Sequence, residues 1–98
     1  MAEIRWTEES AQWLQDIHDY IAADSPDAAA KVVADIYKKA QVLREHPEIG
    51  HKYRTVSGRE ARILLYGHYR ITYFIKVSGD IDILGIFHGA LDMDRYLI

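Results

Sequence analysis

The chain has 98 residues, 49% of them hydrophobic and 28% charged, which suits one compact domain over residues 1–98 and leaves no room for two. It has no cysteine, so disulfides, thiolate nucleophiles and thiolate metal sites are excluded together. Its net charge of −3 runs against a protein built to hold a phosphate backbone; direct nucleic-acid binding is not expected, although a local basic patch is compatible with that balance.

The opening Met1-Ala2-Glu3-Ile4-Arg5-Trp6 lacks the basic start and apolar run of a signal peptide. No stretch approaches the roughly 18 apolar residues needed to cross a bilayer. A cytoplasmic protein without membrane contact is therefore expected. Glu3 to Trp6 alternates polar and apolar and predicts a short strand. Thr7 is a good helix N-cap, and Glu8 and Glu9 fall where the helix dipole favours negative charge. Ala11, Leu14, Ile17 and Ile21 then recur at helical spacing, flanked by Trp13 and Tyr20.

Asp24-Ser25-Pro26-Asp27 ends this helix and starts another, with Ser25 as cap and Pro26 at the first helical position, where its missing N–H costs nothing. The second helix carries an apolar stripe of Ala29, Val32, Val33, Ile36, Ala40 and Leu43. Fully burying its Val, Ile and Leu members would contribute roughly 1.5–3 kcal/mol each. His46-Pro47 is expected to stop the helix, since proline pushes the residue before it out of helical geometry.

The remainder reads as β structure. Arg59 to Tyr66 and Tyr69 to Val77 are predicted strands joined at Gly67-His68, and Ser78-Gly79-Asp80 is a turn into a strand from Ile81 to Phe87. In the middle strand Tyr69, Ile71, Tyr73, Ile75 and Val77 share one face, expected to pack on the helices. Arg70, Thr72, Phe74 and Lys76 share the other, expected to be amphipathic and open to a partner. The fold class is thus α+β: an N-terminal strand, a helical hairpin packed on an antiparallel sheet in the order β-α-α-β-β-β, and a short C-terminal tail.

Several chemistries have no motif here. There is no Gly-rich phosphate loop, no G-x-S-x-G elbow and no H-E-x-x-H pair. His18, His46, His51, His68 and His88 lack metal-ligand spacing, so neither metal nor other cofactor is expected. Pro47-Glu48-Ile49-Gly50 reads locally as a helix stop and turn. Arg70 by itself reads as a solvated or paired strand residue.

Taken together in order and spacing, these pieces resemble the ParE/RelE superfamily of toxins from type II toxin–antitoxin pairs over nearly the whole chain. The matching residues are Trp6-Thr7, the first helix with Leu14, Ile17 and Tyr20-Ile21, Ser25-Pro26 with the Ala-rich start of the second helix, and His46-Pro47-Glu48-Ile49-Gly50. They continue through Arg59-Glu60-Ala61-Arg62 and Tyr69-Arg70-Ile71-Thr72-Tyr73 to Ile81-Asp82-Ile83-Leu84-Gly85-Ile86-Phe87-His88-Gly89, with Asp92 close behind.

The ending discriminates within that superfamily. RelE-like ribosome-dependent mRNA nucleases resemble one another in basic residues after the last strand and an aromatic or histidine near the C-terminus. Here Leu91 stands where such a cation is expected, and Asp92 and Asp94 follow. A histidine followed by a small residue, Leu, Asp and a terminal Leu is similar instead to ParE toxins, which implies inhibition of DNA gyrase by binding, without hydrolytic chemistry. Were the chain a nuclease, Arg70, Arg54, Lys52, Tyr96 and His88 would have to supply the cations and move the protons. A third reading is a family member that binds only its antitoxin.

The resemblance also implies a cognate antitoxin whose extended C-terminal segment wraps the toxin. Apolar surface for it is expected at Trp13, Tyr20 and Phe74, with contacts to antitoxin or target at Arg62, Arg70, His88 and Asp92. The plainer alternative for the three aromatics is a wider core face, since large rings dominate cores and interfaces alike.

Overall fold

The computed structural model describes residues 2–88. The expectations placed on Leu91, Asp92, Asp94, Tyr96 and the tail lie outside these residues. The elements in chain order are β1 (Ile4–Trp6), α1 (Glu8–Ala22), α2 (Pro26–Gln41), a 3₁₀ turn (Val42–Arg44), β2 (His51–Val56), β3 (Arg59–Tyr66), β4 (Tyr69–Ile75) and β5 (Ile81–His88).

Both helix starts form as their cap residues dictate. The Thr7 hydroxyl oxygen accepts from the Ser10 amide at 3.1 Å, and the Ser25 hydroxyl oxygen accepts from the Ala28 amide at 3.2 Å, with Pro26 opening α2. Thr7 also donates to the Ile83 carbonyl at 2.7 Å, so the cap of α1 is fastened to β5. At the other end, α2 stops short of His46-Pro47. Its last turn tightens into the 3₁₀ segment Val42–Arg44, which still delivers Leu43 fully buried to the core.

One five-stranded sheet runs in the order β1-β5-β4-β3-β2. Its pairs are antiparallel except the first, where β1 lies parallel to β5 with Ile4 opposite Ile81 and Trp6 opposite Ile83. The observed order is therefore β-α-α-β-β-β-β, one strand more than the sequence reading gave. The added strand is β2, joined to β3 through Ser57 and Gly58, both at positive φ (52° and 78°), the backbone of a two-residue hairpin turn. Two strands carry an extra residue. Pairing jumps from Lys52 to Arg54 on β2, leaving Tyr53 over, and from Gly85 to Ile83 on β5, leaving Leu84 over.

The helical hairpin lies on one face of the sheet, and the main core forms between them. Ile36, Ala40 and Leu43 meet Leu64, Ile71, Tyr73, Ile81, Ile83 and Ile86, with Trp6, Trp13, Leu14 and Ile17 packed around them. Ala11, expected in the stripe of α1, faces solvent, and Val77 falls beyond β4 and is 89% exposed. The second face holds a smaller cluster, Ala61 and Phe74 with Val56 and Leu84 against them. Phe74 is thus 2% exposed and presents no ring to a partner, contrary to the sequence expectation. Alternation placed it on the correct face, but that face has a small core of its own, roofed by the Arg59 guanidinium 4.2 Å above the Phe74 ring.

Candidate functional site

The arrangement best suited to receive a partner is an apolar groove between α1 and the near end of the sheet. Trp13, Ile17 and Ile21 recur every four residues on α1 and line one wall, extended by Tyr20. Tyr69 at the start of β4 and Ile86 near the end of β5 line the other, with Asp16 and His88 at the rim. The groove encloses about 500 Å³. Tyr69 and His88 are cross-strand partners whose rings meet at 5.6 Å and 68°, and His68 lies 6.2 Å from His88 between ring centroids.

Gly85 shapes this wall. A Cβ at that position would lie 2.6 Å from the Phe87 ring and 3.3 Å from Trp13. Its absence lets Trp13 close edge-on against Phe87, with centroids 4.9 Å apart at 87°. Trp13 is consequently a half-buried member of the wall, whereas Tyr20 is 75% exposed. Three residues predicted for binding, Trp13, Tyr20 and His88, thus converge on one groove. Tyr69 and Ile86 were missed as wall residues because their alternation marks them simply as core-facing.

The opposite corner of the same sheet face is closed by the chain itself. The Tyr73 hydroxyl donates to the Pro47 carbonyl at 2.7 Å and accepts from the Gly50 amide at 3.1 Å. Arg62 donates to the Glu48 and Gly50 carbonyls at 3.0 and 2.7 Å and is aimed by Glu60, whose carboxylate accepts from Arg62 Nε at 2.7 Å. Burial raises the Tyr73 phenol above its ordinary value, and the Arg62 hydrogen bond holds the Glu60 carboxyl below the usual carboxylate range. No side chain fits at Gly50, where a Cβ would sit 2.6 Å from the Tyr73 hydroxyl and 2.8 Å from the Ile63 carbonyl. Pro47-Glu48-Ile49-Gly50 is therefore a latched loop, and Arg62, expected at an interface, is spent holding it.

The residues named for nuclease chemistry do not gather in one place. Lys52 pairs with Glu60 at 3.4 Å beside the latch, and His88 stands at the groove rim. Arg54 and Arg70 belong to the second face of the sheet through their pairing with Ala61 and Leu65. Tyr96 lies outside the described residues. Among the described residues no cluster of three or more His, Asp or Glu side chains is placed to hold a metal, and no helix is long and apolar enough to cross a membrane.

Known proteins share this chain's sequence pattern and fold. Residues 4–93 match the family described as the ParE toxin of the type II toxin–antitoxin system parDE. Y4kP of Sinorhizobium fredii, a protein assigned as a toxin, is 41% identical over 85 residues, covering 87% of this chain and 85% of its own. The chromosomal ParDE toxin–antitoxin system of P. aeruginosa contains a chain that superposes with a TM-score of 0.71 at 26% identity, over 91% of this chain and 97% of that one. A chain of the RelBE2 toxin–antitoxin complex of Mycobacterium tuberculosis shares the fold, with a TM-score of 0.63 at 21% identity over 89% and 96% of the two chains. The protein belongs to the ParE family of type II toxin–antitoxin toxins.

Proposed function

We propose that this toxin is held inactive by an antitoxin segment seated in the groove of Trp13, Tyr20, Tyr69 and His88, and that once released it acts in the cytoplasm by binding DNA gyrase. The observation that carries the first half is the groove itself. It is apolar, about 500 Å³ in volume, and edged by a tyrosine that is 75% exposed in the isolated chain. An exposed aromatic beside an apolar cleft that no described residue fills gains by being covered, and rings of this kind are common anchors at interfaces. The occupant that suits it is an amphipathic segment with apolar anchors toward Ile17, Tyr69 and Ile86. A basic residue would fit toward Asp16, on a helix whose acidic side chains include Glu8 and Glu9 and whose last turn has no basic residue. Membership of the ParE family supports gyrase over the ribosome as target, and the dispersal of Lys52, Arg54, Arg70 and His88 supports binding over cleavage.

The test is expression of the chain with and without the neighbouring gene, followed by assays on purified protein. Alone it should arrest growth, and the neighbouring gene product should restore growth. Purified toxin should inhibit gyrase supercoiling or accumulate cleaved DNA while ribosome-bound mRNA stays intact. Cuts in ribosome-bound mRNA that vanish in Arg70→Ala would replace the gyrase reading with a nuclease one. Harmless expression of folded protein would leave only an antitoxin-binding relative.

A further inference from the structure

Among the described residues, the sheet face turned away from the helices has a charge opposite to that of the whole chain. Arg54 stands opposite Ala61, Ala61 opposite Phe74, and Arg70 opposite Leu65, which fixes these residues to one face. Arg59 lies over Phe74 on the same face, and Arg5 and Lys76 reach the Asp82 carboxylate there at 3.0 and 3.4 Å. Among the described residues this face thus carries Arg54, Arg59 and Arg70 besides the Arg5 and Lys76 that pair with Asp82, in a chain whose net charge is −3. The acidic side chains that outweigh them lie largely elsewhere, as in α1 with Glu8, Glu9, Asp16 and Asp19 and neither Lys nor Arg.

These cations are not equivalent. Arg5 and Lys76 are engaged by Asp82. Arg59 donates to the Val56 carbonyl at 3.4 Å and has no carboxylate partner among the described residues. Arg70 is partly exposed, makes no ion pair among the described residues, and sits across from Leu65, which is 51% exposed. Guanidinium groups that lack a carboxylate partner and stand near exposed aliphatic surface suit a protein interface, where bidentate pairing with carboxylates fixes orientation. Nucleic acid would favour stacking rings between the cations, but Phe74 and Phe87, the aromatic residues of β4 and β5 that pair into this face, are both buried, Phe74 beneath Arg59.

We infer that this second face is the docking surface for the toxin's target protein, through an acidic, partly apolar patch that would meet Arg70 beside the exposed Leu65 and Arg59 above Phe74. The inference rests on the reading of the chain as a toxin that works by binding a protein, and it concerns a surface on the far side of the sheet from the groove. Antitoxin and target would then occupy opposite sides of one sheet.

The test uses the full chain and three variants, Arg70→Glu, Arg59→Glu and Arg70→Lys, checked for an unchanged melting transition. Growth arrest, binding to purified gyrase and binding to the neighbouring antitoxin are measured in parallel, together with single-stranded RNA and duplex DNA oligonucleotides by fluorescence anisotropy. Charge reversal at Arg70 should weaken gyrase binding roughly tenfold or more and relieve growth arrest, with antitoxin affinity retained and Arg70→Lys partly active. Arrest by the wild type that persists undiminished in Arg70→Glu and Arg59→Glu overturns the inference alone. Tight oligonucleotide binding that both reversals abolish overturns it in favour of a nucleic-acid surface. Folded wild-type protein that neither arrests growth nor binds gyrase overturns the toxin reading and this inference with it.

Discussion

Tyr69 and Tyr73 lie four residues apart on the same face of β4, yet their surroundings differ in kind. Tyr73 is fully buried, with its hydroxyl bonded on both sides by the Pro47–Gly50 loop. Tyr69 lines a groove that no described part of the chain fills. At one end the protein supplies its own cover and obtains stability. At the other the described residues leave apolar surface uncovered, which is where we propose that the antitoxin sits. Identical residue types on one strand therefore end in a closed core in one case and at a groove wall in the other, and only what lies above them decides which.

The largest test of this contrast is Gly50→Ala. The added methyl would be forced against the Tyr73 hydroxyl and the Ile63 backbone, and overpacking of this kind costs about 2 kcal/mol or more. A large drop in melting temperature is expected, and an unchanged one would show that the loop is not latched. Next comes Tyr73→Phe, which leaves the Pro47 carbonyl and Gly50 amide without their partner. A loss of about 1–3 kcal/mol is expected in urea unfolding, with antitoxin binding by the remaining folded protein intact.

Acid should loosen the closed end in a third, smaller way. The Glu60 carboxyl is depressed in the folded state, chiefly by the Arg62 hydrogen bond. Its contribution is therefore complete above its unfolded value and is lost as pH falls through the lower folded one. Melting curves of Glu60→Gln should accordingly lie below those of wild type near neutrality and converge on them in acid. The smallest effect on stability belongs to the open end. Tyr20→Ala should change unfolding by no more than about 0.5 kcal/mol while weakening antitoxin binding roughly tenfold or more in titration calorimetry. Loss of stability without loss of binding would invert the comparison.

Much of this was visible in the residues, for reasons that differ by element. The caps at Thr7 and Ser25-Pro26 are local chemistry, and both formed as expected. β2 was missed because Lys52-Tyr53-Arg54-Thr55 is exposed throughout and interrupted at Tyr53, so it has no alternation to read. Trp13 and Tyr20 stood out as large rings beside the helix stripe, and both proved to line the groove. Tyr69 could not be separated from Ile71 and Tyr73, because whether α1 overhangs a given strand position is decided by tertiary packing. The Pro47–Gly50 motif was noticeable in the sequence, but its meaning depends on Tyr73, 23 residues away from Gly50.

The parallel pairing of β1 with β5 has a consequence for how the toxin is made. Ile4 must wait for Ile81, 77 positions later, and the cap of α1 waits with it because Thr7 binds Ile83. Contacts of such long sequence separation form late and slowly. On the ribosome β5 is the last of the described strands to emerge, so the sheet edge and the groove wall at Ile86 and His88 cannot assemble until then. A nascent chain therefore carries neither the groove nor the completed basic face until β5 has emerged, and both come into being together with that strand. The two surfaces thus share one condition for their existence, the docking of β5 between β1 and β4.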